Sequence, residues 1–155
     1  MKYVTLLCGV AIVALVANVS AIHEPGSDKN PLSFGDDQTI VDLDKVVWGP
    51  LEVEGLSPGA EIAVIRGDLA KDHSESVVRL PAGYALRSHT HTSDELYVWI
   101  SGRFTLIAHD GTETEFRGPA YISFPGNAPT HGIKCGDKEP CLFYLRYSRP
   151  FDIKY

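Results

Sequence analysis

From Thr39 onward, no segment of this sequence places apolar residues at the three-to-four spacing of a helix. Short apolar or alternating runs are instead cut at close intervals by Pro, Gly, Asp and Asn. This pattern confines the chain to an all-β architecture, a barrel or a double-sheet jelly roll, because such strands bury a face only by stacking sheet on sheet. The expected strands are Thr39–Val47, broken by Trp48-Gly49-Pro50, then Glu61–Ile65 after the Ser57-Pro58-Gly59 turn, and Glu75–Leu80, ended by Pro81-Ala82-Gly83. Gly83–Ser88, Leu96–Ile100, Arg103–His109, Thr112–Arg117, Ala120–Phe124 and Leu142–Tyr147 complete the pattern. Leu96–Ile100 and Arg103–His109 are expected to pair as a hairpin across Ser101-Gly102, and Asp110-Gly111 marks a tight turn into the following strand. Arg66-Gly67-Asp68 through Ser74 reads as a polar loop, and its Arg-Gly-Asp tripeptide as incidental.

One stretch within this pattern carries chemistry: Gly83 to Gly102, G-Y-A-L-R-S-H-T-H-T-S-D-E-L-Y-V-W-I-S-G. On a strand, His89 and His91 are two apart, so both imidazoles project from one face. Glu95 keeps that parity four residues on, and the apolar run Leu96–Ile100 would hold its carboxylate on a rigid element. Two imidazoles and a carboxylate converging on one face make a site for a first-row transition metal. The best candidate for a fourth ligand is His131. His-x-His alone carries little weight, since two histidines on an exposed strand are commonly solvated; the bracketing glycines and the downstream Pro-Gly…His give the combination its force.

With those brackets the stretch resembles the first motif of the cupins, small β-barrels with a metal in the mouth. That motif runs Gly, five residues, His-x-His, three or four residues, Glu, six residues, Gly, and Gly83, His89, His91, Glu95 and Gly102 match it without a gap. The second cupin motif is similar to Gly118 followed by Pro125-Gly126-Asn127-Ala128-Pro129-Thr130-His131, with one extra residue and a rearranged Pro/Gly order. Strand patterning extends the resemblance over most of residues 39–155. Trp48-Gly49-Pro50 and the ending Arg149–Tyr155 look like a bacterial single-domain group, the ChrR-like or uncharacterised cupins, whose members mostly lack an assigned substrate. The resemblance implies a cupin-type double-stranded β-helix (jelly-roll barrel) and one divalent transition metal, Fe, Mn, Ni, Cu or Zn, on His89, His91, Glu95 and His131. It also implies a homodimer.

Three imidazoles and one carboxylate leave up to two positions open on an octahedral ion. With Fe, Mn, Ni or Cu, such a site supports oxygenase chemistry on enols, diols or phenols, with Glu95 a possible base as well as a ligand. With Zn or Mn it supports proton shifts of the isomerase and lyase kind. The leading expectation is an exported metal-dependent oxidoreductase of dioxygenase type. The alternatives are a non-catalytic cupin that binds or senses a small molecule or metal, and a metal-dependent isomerase or lyase. No second catalytic residue stands out: Tyr84, Tyr121 and Tyr144 are as easily core residues, and His73 and His109 match neither motif and read as surface groups.

Residues 1–21 read as a secretory signal, with Lys2 as its positive end, an apolar Tyr3–Val19 run and a small-residue cleavage pattern at Val19-Ser20-Ala21. Residues 22–38 read as a flexible spacer and 39–155 as the folded domain; His23 in the spacer is a solvated group or an incidental metal scavenger. The apolar run is short for a spanning helix and lacks a basic stop-transfer flank, so no stable membrane association is expected after cleavage, and the location is periplasmic or secreted. Cys8 leaves with the signal. The net charge of −6 and the absence of a basic stripe exclude nucleic acid and anionic membrane surfaces as partners, which leaves a small-molecule ligand or substrate. Cys135 and Cys141 admit two readings, a disulfide closing the Gly136–Pro140 loop or a thiol pair near His131. Export favours the disulfide, which would stiffen the loop carrying the fourth ligand. Tyr97 and Trp99 continue the parity of Glu95 into the barrel, as pocket lining or as core, while Leu96, Val98 and Ile100 would pack on a second layer or a second subunit. Arg87 shares the parity of His89, where it could anchor an anionic substrate or end the strand in solvent.

Overall fold

The computed structural model describes residues 40–155, so the expected signal and spacer lie outside the described residues. Ten strands follow in order: β1 (Gly49–Pro50), β2 (Glu61–Gly67), β3 (Ser74–Leu80), β4 (Ala85–His89), β5 (Glu95–Ser101), β6 (Phe104–Ile107), β7 (Glu113–Phe116), β8 (Ala120–Phe124), β9 (His131–Cys135) and β10 (Cys141–Tyr147). They form a six-stranded sheet, β1-β2-β3-β10-β5-β8, and a four-stranded sheet, β4-β9-β6-β7. Every named pair is antiparallel. From β3 onward the chain crosses repeatedly between the sheets, which is the all-β double-stranded β-helix expected from the sequence.

The core lies between the two sheets. On β5 the residues Glu95, Tyr97 and Trp99 face inward and are buried, while Leu96, Val98 and Ile100 face outward. Alternate side chains of a strand point to opposite faces, and here the inward set is the bulkier. Trp99 stacks on Phe143 of β10 in its own sheet at 4.7 Å and on Phe104 of β6 in the other sheet at 3.7 Å, and Phe104 stacks in turn on Phe116 of β7. This aromatic column spans both layers and makes Trp99 a core residue. The outward Val98 and Ile100 are each 37% exposed, so no second layer of the described chain covers them.

The structure corrects the sequence reading at three places. The described part of the expected Thr39–Val47 strand, residues 40–47, does not form one: Leu43–Lys45 is a single 3₁₀ turn, capped by the Asp42 carboxylate on the Asp44 N–H, and the expected breaker Gly49-Pro50 is itself the edge strand. Proline is tolerated there because an edge leaves one side of the backbone unpaired. Leu96–Ile100 and Arg103–His109 do not pair as a hairpin: β5 lies between β10 and β8, whereas β6 lies between β9 and β7. Gly102, at φ +84°, turns the chain from one sheet into the other between them. The His131 segment, expected only as a connection, is strand β9, paired on both sides.

Cys135 ends β9 and Cys141 begins β10, and a disulfide joins them across the Gly136–Pro140 loop. A Cβ at residue 102 would sit 2.6 Å from the Pro140 carbonyl oxygen and 2.8 Å from Cys141 Cα, so the same corner depends on glycine twice, for its φ and for its lack of bulk. Gly102→Ala is therefore expected to destabilise the domain by about 2–3 kcal/mol. Urea unfolding checks this; a midpoint within error of the parent would show that the corner yields freely.

Candidate metal centre

β4 and β9 are neighbours in the smaller sheet, and their register sets His89 directly opposite His131 after an irregularity between Leu86 and His89. His91 follows β4 by two residues, and Glu95 opens β5 in the other sheet. The donor nitrogens of His89, His91 and His131 all lie within 4.8 Å of one another. Glu95 stands against two of them, with Oε1 3.2 Å from His91 Nε2 and Oε2 3.2 Å from His131 Nε2. The four residues are almost fully buried, at 1%, 4%, 1% and 3% exposure for His89, His91, Glu95 and His131. The structure thus brings together all four sequence-derived donor residues, from both sheets.

The ring orientations have separate causes. A backbone carbonyl only accepts, so His89 Nδ1 carries a proton and donates to Arg87 O at 2.7 Å, which leaves Nε2 with its lone pair. His91 Nδ1 donates in the same way to Asp152 O. His131 is set by stacking, its ring 4.0 Å from that of Phe124 and 11° from parallel. Phe124 is the register partner of Glu95 on β8, so the carboxylate and the ring that steadies His131 sit side by side.

Whether these residues suit a metal is tested by the hydrogen bonds they lack. His91 Nε2, Glu95 Oε2 and both nitrogens of His131 are buried without a hydrogen-bond partner among the described residues; the 3.2 Å approaches to the carboxylate do not complete one. Burying such groups unpaired costs a few kcal/mol each unless something else satisfies them. Three of the four, His91 Nε2, His131 Nε2 and Glu95 Oε2, converge beside His89, an imidazole and carboxylate set of the kind that first-row divalent metals take. The residues fit the ion.

Glu95 Oε1 is held by two phenols, Tyr97 O–H at 2.6 Å and Tyr147 O–H. Tyr147 is the register partner of Glu95 on β10 and escaped the sequence reading, because its only signal, inward parity with Phe143 and Leu145, equally describes core. Burial, and then the Glu95 charge, push both phenols well above their ordinary pKa, so they stay protonated as donors. Burial pushes the Glu95 carboxyl up, but the His131 contact, the field of His91 and the two phenols outweigh it and hold the group below the usual carboxylate value. Ser74 and Ser76, on the inward face of β3, are further buried hydroxyls without partners among the described residues.

The other candidates fall elsewhere. Arg87 is exposed, its guanidinium 3.7 Å over the ring of Tyr155, because the irregularity before His89 breaks the parity between them. Tyr97 lines a small apolar cavity at the cluster together with His89, His91 and Tyr147, but Trp99 does not. Tyr84 donates to Ser57 O, Tyr144 is half-buried on the outer face and Tyr121 is 71% exposed. His73 pairs with Asp72 at the surface, and His109 is exposed.

Burial lowers the His89 pKa from 6.5 to about 4. Between these values the folded state binds fewer protons than the unfolded one. Stability present above about pH 6.5 is therefore lost as pH falls toward 4, by about 3 kcal/mol for this residue in metal-free protein. Urea midpoints measured across this range are expected to fall more steeply for the parent than for His89→Gln; parallel slopes would refute the assignment.

Residues 26–154 match a family described as a domain of unknown function, DUF4437. The chain is similar to dimethylsulfoniopropionate lyase DddW of Ruegeria pomeroyi, at 27% identity over 127 residues, covering 76% of this chain and 73% of that one. It is similar in structure to the polyketide cyclase RemF from Streptomyces resistomycificus, with a TM-score of 0.58, 17% identity and coverage of 76% of this chain and 84% of that chain. A sugar phosphate isomerase from the cupin superfamily of Silicibacter pomeroyi superposes with a TM-score of 0.58 at 21% identity, over 71% of this chain and 75% of that chain. At these identities the structural likenesses speak for the fold. The chain belongs to the family described as DUF4437, and its fold is that of the cupins.

Proposed function

We propose that this protein is a metal-dependent lyase that removes a proton from a small organic acid and expels a group from the neighbouring carbon. The observation that carries the reading is the convergence of buried, unpartnered donor atoms of His91, His131 and Glu95 beside His89. The likeness to a dimethylsulfoniopropionate lyase supports the lyase branch over the oxygenase branch expected from the sequence. A divalent transition metal held by His89, His91 and His131 beside Glu95 would act as a Lewis acid on a substrate oxygen and make the adjacent C–H more acidic.

The chain's own residues supply the rest. Glu95 Oε2 faces the imidazoles without a hydrogen-bond partner and is assigned as the proton acceptor, while Tyr97 and Tyr147 fix Oε1 so that the carboxylate stays oriented. As Glu95 takes the proton, the C–H electron pair forms the new C=C bond, the bond from the neighbouring carbon to the leaving group breaks, and that group departs with the pair of its own bond. Leu86, Phe143, Leu145, Phe151 and Ile153 surround the cluster with apolar surface that keeps bulk water from the carbanionic charge. The cavity there measures only about 30 Å³, so a substrate of more than a few atoms has to part this wall, and the reading is confined to small molecules. On the same reading the protein is exported to the periplasm or beyond, which the Cys135–Cys141 disulfide supports, and it pairs with a second copy through the outward Val98 and Ile100 face.

The test uses untagged protein loaded in turn with Fe, Mn, Co, Ni, Cu or Zn and offered dimethylsulfoniopropionate and other β-substituted small acids, with oxygen uptake followed in the same vessel. Elimination that persists without oxygen and stops on chelation is expected. Stoichiometric oxygen consumption would replace this reading with the oxygenase, and tight metal without turnover on any substrate would replace it with a binding protein. His91→Ala and His131→Ala are each expected to lower metal content at least tenfold, whereas His73→Ala leaves it unchanged; elemental analysis of the purified variants decides.

A further inference from the structure

The segment Arg149–Tyr155 belongs to neither sheet, yet it is tied along its length to the stretch that carries the donors. Arg149 N–H donates to Ser93 Oγ at 3.0 Å, and Thr90 and Lys154 exchange a pair of backbone hydrogen bonds at 2.9 Å each. Phe151 packs its ring on those of His91 and Tyr147, at 5.8 and 5.1 Å.

The tie at Asp152 differs in kind from these. Its carboxylate takes the Thr92 N–H at 2.9 Å and the Thr92 hydroxyl at 2.8 Å, and its main-chain carbonyl accepts the His91 Nδ1 proton. An imidazole coordinates a metal through whichever nitrogen lacks the proton, and that choice is made by the partner of the other nitrogen. A proton fixed on Nδ1 leaves the lone pair on Nε2, the atom that stands 3.2 Å from Glu95 Oε1 without a hydrogen-bond partner. A carbonyl has no side-chain identity of its own to select; its position comes from whatever anchors the chain around it. Here the anchor is the side chain of the same residue, gripping the residue next to His91. The two contacts close a small ring of bonds across 61 positions of sequence. His89 takes its partner from Arg87, two positions back on its own strand, and His131 is set by the Phe124 ring. Among the three imidazoles, His91 alone takes its orientation from a remote segment.

We propose that Asp152 is a positioning residue of the metal centre, its carboxylate holding its own carbonyl where it fixes the tautomer and aim of His91. This rests on the reading that the cluster holds a metal, and the test separates the two. Asp152→Ala, Asp152→Asn and Thr92→Val are compared with the parent by chelator competition for Zn or Mn and by nitrogen-15 shifts of His91 in metal-free protein. Asp152→Ala is expected to weaken metal binding about tenfold to a hundredfold and to turn His91 from a single Nδ1–H tautomer into a mixture. Asp152→Asn keeps an acceptor for the Thr92 N–H and offers its amide to the hydroxyl, so it is expected to stay within about threefold of the parent. Thr92→Val, which leaves the N–H bond in place, is expected to fall between them and keeps the test decisive if Asp152→Ala fails to fold. Parent-like affinity and tautomer in Asp152→Ala, or losses in Asp152→Asn as large as those in Asp152→Ala, would overturn the proposal. If the parent takes up no metal but shows the Nδ1–H tautomer that Asp152→Ala loses, the metal reading fails and the positioning role stands.

Discussion

The structure turns on the burial of Glu95. A carboxylate removed from water pays a desolvation cost of several kcal/mol unless hydrogen bonds and opposite charge replace its hydration. Everything around this residue answers that demand: β10 brings Tyr147 opposite it, its own strand brings Tyr97, the stretch after β4 brings His91 to Oε1, and β9 brings His131 to Oε2. One oxygen is thereby satisfied by the fold, and the other faces the imidazoles without a hydrogen-bond partner among the described residues. A barrel that only needed a core could place leucine here at no such cost, so the retention of four polar donors in an apolar interior speaks for chemistry rather than packing.

How much of this the sequence disclosed follows from the range over which each feature acts. His89, His91 and Glu95 lie within seven residues, and spacing alone brought them together; His131 followed from a short, irregular second motif. The all-β class was legible because alternation and turns are local. The pairing of strands was not. Ser101-Gly102 looks like a hairpin turn over four residues, and only the competition of β10 and β8 for the edges of β5 shows that the chain leaves the sheet there. Of the two readings of Arg87, the structure shows the one in solvent, because parity assumes a regular strand and the irregularity before His89 removes that regularity. Tyr147 and Asp152 act on residues 52 and 61 positions away, beyond any pattern in a single sequence.

The aromatic column and the histidine cluster divide the interior between them. Trp99, Phe104, Phe116 and Phe143 fill one end with stacked rings, while at the other end the rings of Tyr97, Phe124 and Tyr147 pack against histidines and the carboxylate. Tyr97 belongs to both, edge-on to Phe143 at 5.3 Å and bonded to Glu95. Tyr97 thus links the packed end to the candidate site, whose donors hold their aim without mutual hydrogen bonds.

The segment after β10 gives the centre an order of assembly. A ribosome releases Asp152 after every one of the donors, so while the protein is being made His91 has no carbonyl to settle its proton. On the proposed role of Asp152, the aim of His91 is completed only when synthesis has passed that point and the segment has docked. If the cluster holds a metal, a half-made chain would offer it a looser grip than the finished one.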